Sequence, residues 1–103
     1  MTADAPAEVS PAELAERIAD KVGAVPDVAG LTAGPRGRVV TYRVGRPVVG
    51  VAVRDDAVEV GVVARQGGRL ADVGDAVRAV VGPMAGGRTV DVLIGDIEGE
   101  ADG

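Results

Sequence analysis

The chain has 103 residues, a formal net charge of −5, and neither cysteine nor histidine. That excludes disulfides and thiolate metal sites, and it removes the commonest general base and the commonest metal ligand. The length fits one domain with a modest core, and with Tyr42 as the one aromatic residue that core has to be aliphatic.

Residues 1–9 read as a loose acidic arm with no apolar run, so they do not form a signal peptide. Ser10, Pro11 and Glu13 then make a capping box with proline at the first helical position. Leu14, Ile18 and Val22 recur every fourth residue beside Ala15 and Ala19, the stripe of an amphipathic helix that Gly23 and Pro26 end. Val28 to Ala33 reads as a short strand, and Gly34, Pro35 and Gly37 break it. Val39 to Val44 is a strand or an extended loop, closed by Gly45, Arg46 and Pro47. Val49 to Arg54 and Ala57 to Arg65 have the strongest strand pattern, because β-branched valines dominate them. They flank Asp55-Asp56, a tight turn. Val58, Val60 and Val62 alternate with Glu59 and Gly61, so one face of that strand is buried. After Gln66, Gly67 and Gly68, the spacing of Leu70, Val73, Val77, Val80 and Val81 predicts a second helix, ended by Gly82 and Pro83. Thr89 to Asp96 is the last strand, and residues 98–103 read as a frayed acidic tail. The predicted fold is α+β, a single domain over 10–97. Two helices pack on one face of a mainly antiparallel, mixed sheet of four to five strands, in the order α-β-β-β-β-α-β.

No catalytic set can be assembled. Ser10, the one serine, is a helix cap, and Lys21, the one lysine, lies on the polar side of a helix. Asp55 and Asp56 are turn residues, and Asp72 and Asp75 share a solvated helix face near its positive end. The chain is expected not to be an enzyme and to need no cofactor or metal. Apolar runs such as Val48 to Val53 are far too short to span a bilayer, which leads to the expectation of a cytoplasmic protein with no membrane span of its own.

Charge is unevenly placed. Residues 36–54 hold Arg36, Arg38, Arg43, Arg46 and Arg54 and no acid, in a chain that is otherwise acidic. This basic segment is either an anion- or partner-facing surface or a set of arginines paired with the chain's own carboxylates. Tyr42, within it, is either an anchor for a partner or a half-buried edge residue. Gly34-Pro35-Arg36-Gly37 matches the G-x-x-G of a nucleic-acid clamp, although here it lies between extended segments and has one aromatic for stacking. Arg36, Arg38, Tyr42, Arg43 and Arg46 are therefore the candidate contact residues, with nucleic-acid binding as the alternative function. Exposed strand edges, at Val39 to Val44 and along the strand from Val90, and the helix-free side of the sheet are candidate docking surfaces.

Five segments in order carry a resemblance: AERIADKV (15–22), VAGLTAG (28–34), GVAVRDDAVEVGVVAR (50–65), AVRAVV (76–81) and VDVLI (90–94). Together they resemble the alkaline-shock, or envelope stress response, protein family of Gram-positive bacteria, in a variant like those of GC-rich actinobacteria. The likeness covers about residues 13 to 97. It departs where relatives often carry Tyr-Gly after the long strand and this chain has Gln66-Gly67, and where they carry Asn and this chain has Leu93. The basic segment falls where the family varies most. The resemblance implies a non-enzymatic, self-associating cytoplasmic protein that serves cell-envelope homeostasis. A small membrane-anchored partner would hold it at the inner face of the membrane.

Overall fold

A computed structural model describes residues 9–98. The first helix, α1, runs Pro11–Gly23. Its capping box forms as the sequence predicts: the Ser10 hydroxyl accepts from the Glu13 amide, and the Glu13 carboxylate accepts from the Ser10 amide. Ala15, Ile18 and Val22 are the buried stripe.

Strand β1 (Val28–Leu31) is followed by β2 (Val40–Thr41), β3 (Val48–Val49), β4 (Val51–Val53) and β5 (Ala57–Arg65). Helix α2 (Leu70–Val81) and a 3-10 turn (Gly82–Met84) lead into β6 (Thr89–Glu98). Strand β5 is the spine of the sheet. Along one edge it pairs antiparallel first with β4 and then with β1, and along the other it pairs in parallel with β6. The α+β class and the mixed, mainly antiparallel pairing are as predicted.

Several boundaries differ from the sequence reading. The strand expected over Val28 to Ala33 ends at Leu31. The strand expected over Val49 to Arg54 is split at Gly50, whose φ of 94° sends the chain out of extended geometry. Only Val40 and Thr41 of the expected Val39 to Val44 strand are paired, as a separate two-stranded sheet with Val49 and Val48. The last strand runs two residues beyond Asp96, so Glu98 belongs to β6 and not to a tail. The rest of that tail and residues 1–8 of the arm lie outside the described residues.

Both helices cover one face. Ile18 and Val22 of α1 and Val73, Val77 and Val81 of α2 close on Val58, Val60 and Val62 of β5, all with no exposed surface. With roughly 1.5–3 kcal/mol for fully burying one such side chain, this aliphatic layer is the main favourable term in the fold.

The second face carries a crossing of the chain. Between β1 and β2 the backbone passes over the sheet, so that Thr32 lies on Gly61 and Gly95 and Gly34 lies on Leu93. At Gly61 the edge partner of β5 changes. Its amide donates to the Gly50 carbonyl and its carbonyl accepts from the Thr32 amide, each at 2.9 Å. A Cβ at Gly61 would collide with the Thr32 carbonyl oxygen, so only glycine lets the crossing lie this close. Val39 and Ala52 are buried, at 2% and 4% exposure, apart from the main core.

Candidate functional site

The candidate contact residues are not gathered into one basic surface. Arg36 and Arg38 line a shallow cleft of about 160 Å³ on the second face, together with Pro35, Val39, Glu59 and Leu93. Tyr42, Arg43 and Arg46 lie in the loop that joins β2 to β3. There Arg43 donates to the Arg46 carbonyl at 2.7 Å and reaches back to Glu16 of α1 at 3.1 Å. Arg46 borders a second cleft, beside Glu16, Asp20 and Pro47. The self-pairing reading of the segment holds for two of its five arginines. Arg43 and Arg54 are paired with carboxylates, the latter with Glu59 at 2.9 Å, whereas Arg36, Arg38 and Arg46 have no such partner among the described residues. Tyr42 is not half-buried: it is 79% exposed, next to a fully exposed Val44.

The helix-free side of the sheet is not an open apolar surface, which corrects the sequence expectation. The crossing from Thr32 to Val39 occupies its centre. Gly34, Pro35 and Gly37 form the turn between strands that the sequence predicts, within this crossing. Gly61 and Gly95, small residues inside strands, are the signal that another backbone approaches there.

The edge at Val39 to Val44 is also partly used. The Thr41 hydroxyl donates to the Val51 carbonyl at 2.6 Å and accepts from the Val53 amide at 3.4 Å, so a side chain occupies backbone groups of β4 that face this way.

The edge expected along the strand from Val90 is open. Nine of the ten residues of β6 are paired with β5 and the tenth, Gly95, is the extra residue of a bulge in β6; no described residue pairs with their other side. One amide is taken locally, since the Asp96 carboxylate accepts from the Ile97 amide at 2.8 Å. The core is unfinished along this edge. Val58, Val60 and Val62 have no exposed surface, yet their β6 partners Val90, Val92 and Ile94 all remain partly exposed. On the opposite face β6 presents Asp91, Leu93, Asp96 and Glu98. Glu98 is engaged by Arg65 at 3.3 Å, and Asp91 has no ion pair among the described residues. Backbone donors and acceptors, an apolar ledge and two carboxylates thus run side by side over about eight residues. That arrangement can accept an added strand; it offers no group poised for bond chemistry.

Among the described residues no cluster of acidic side chains has the size to hold a metal ion, and no helix is long and apolar enough to cross a membrane. No family model, curated protein or solved structure matches the chain.

Proposed function

We propose that this domain is a non-enzymatic protein-interaction module that takes an extended segment of a partner along the free edge of β6. The observation that carries the reading is the contrast across β5, with valines fully buried on one strand and their register partners left partly open on the next. An added strand would pair the unused backbone groups of β6 and finish the core beneath them. The resemblance to the alkaline-shock family supplies the setting: a role in cell-envelope homeostasis at the cytoplasmic face of the membrane, with a small membrane-anchored protein as partner. The alternative, nucleic-acid binding by residues 36–46, is less well supported, because Arg43 is already tied to Glu16 and the other arginines divide between two clefts.

Affinity capture of the tagged chain from its own detergent-solubilised cells, followed by hydrogen exchange on the isolated complex, tests the reading. The expected result is one small integral membrane protein in near-stoichiometric amount, with slowed exchange between Thr89 and Ile97. Protection confined to Tyr42 through Pro47, or co-purification of RNA that protects Arg36 and Arg38, would overturn it.

A further inference from the structure

The β6 edge also restricts what can dock on it, an inference that rests on the proposal above. Read from Val90 to Ile97, the edge presents valine, aspartate, valine, leucine, isoleucine, glycine, aspartate and isoleucine. Val90, Val92, Ile94 and Ile97 share the core face through their register with Val58, Val60, Val62 and Ala64. Asp91, Leu93 and Asp96 share the other face, opposite Glu59, Gly61 and Val63. The two aspartates are the second and the seventh of eight positions. Gly95 is the extra residue of a bulge, so a strand paired with β6 meets these aspartates four positions apart, as β5 does at Glu59 and Val63. Without Gly95 the run Val-Asp-Val-Leu-Ile-Asp-Ile is symmetric under reversal, so a strand added in either direction meets a carboxylate at its own second and sixth positions.

A second copy of β6 suits this edge poorly for the same reason. The antiparallel register that pairs the whole strand sets Asp91 against Asp96 twice, and the in-register parallel arrangement sets each aspartate against itself. Like charges directly opposite one another weaken strand pairing. Asp91 lies next to Glu59 across the ladder, and Glu59 is already engaged by Arg54 at 2.9 Å, with Arg36 and Arg38 in the cleft beside it, whereas neither Asp91 nor Asp96 has an ion pair among the described residues.

We infer that the partner is an extended segment of another protein with basic residues four positions apart and an apolar stretch between them, and not a second copy of this chain. The basic residues pair with Asp91 and Asp96. The apolar ones cover Val90, Val92 and Ile94 on one face and Leu93 on the other.

Two capped heptapeptides test this with the full chain: Val-Lys-Val-Leu-Val-Lys-Val and its counterpart with glutamate in place of both lysines. Backbone amide resonances locate binding, and titration gives its strength. The lysine peptide is expected to shift the amides of Val90 to Ile97 and to bind about tenfold tighter than the glutamate peptide, from a few-fold gain per opposed pair. That preference should shrink at high salt. In the Asp91→Lys chain, with its amide spectrum otherwise unchanged, the preference should fall or invert. Equal binding of both peptides at β6 would leave the edge proposal standing and overturn the basic partner. Shifts elsewhere, or no binding by either peptide, would overturn both. Concentration-dependent shifts of the β6 amides in the chain alone would make a second copy the occupant and overturn the inference.

Discussion

The two edges of the sheet are built on opposite plans. One is a mosaic: β4 and β1 lie end to end along β5, each only three or four residues long, and the Thr41 hydroxyl plugs two backbone groups of β4. The other is a single ten-residue strand with nothing paired outside it among the described residues. Short, interrupted and side-chain-plugged strands resist further pairing, whereas a long continuous one invites it. The difference lies in where the molecule spent its glycines. Gly50 and Gly61 break up the first edge and let the crossing segment turn over it.

The largest expected effect comes from breaking the mosaic edge at its changeover. Gly61→Val should drive a side chain into the Thr32 carbonyl and destabilise the domain by about 3 kcal/mol or more, as overpacking against backbone does. Denaturant unfolding measures it, and a loss within about 0.5 kcal/mol, the range of ordinary surface changes, would mean that the crossing is not held there. A register pair sharpens the comparison across β5. Val60→Ala, at a position with no exposed surface, should cost about 2 kcal/mol, and Val92→Ala on the open strand about half that. Equal costs in the isolated chain would mean that the β6 edge is already covered. Thr41→Val removes two hydrogen bonds and should cost about 1 kcal/mol while speeding hydrogen exchange at the Val53 amide. Unchanged exchange there would argue that the plug is not formed. The smallest effect belongs to the hairpin loop: Arg43→Ala should cost no more than about 0.5 kcal/mol, and less in high salt, since its partner Glu16 is well exposed. A larger, salt-independent loss would show the loop to be part of the fold rather than an appendage to it.

Much of this architecture was legible in the sequence because local signals agreed with the tertiary outcome. The capping box at Ser10 and Glu13, the four-residue stripe of Leu14, Ile18 and Val22, and the alternation of Val58, Val60 and Val62 each specify one face and one period, and all recur in the structure. A single glycine within a valine-rich run carries no local sign of a break, and what marks Gly50, a positive φ with Leu31 of β1 standing where a side chain would go, exists only once the strands are assembled. The crossing from Thr32 to Val39 has no periodic signature at all. It is specified by the fit of a loop against Gly61, Gly95 and Leu93, which are thirty to sixty residues away in sequence. The edge at Val90 was visible as a candidate from strand order alone. Its partial exposure was not, since that depends on which strand ends up outermost. The basic segment reads as one feature because its arginines are neighbours in sequence, but buried Val39 and strand β2 separate Arg36 and Arg38 from the hairpin loop.

The lone aromatic ring has an optical consequence. Tyr42 stands 79% exposed in the hairpin loop, and the chain has no tryptophan or phenylalanine. Its emission will therefore change little when the aliphatic core melts, and unfolding has to be followed through the peptide bonds, by far-ultraviolet circular dichroism. The same isolation makes that emission a background-free reporter of anything that settles on the loop. The protein thus carries one spectroscopic channel for its fold and a separate one for contacts at Tyr42, with no engineered label needed for either.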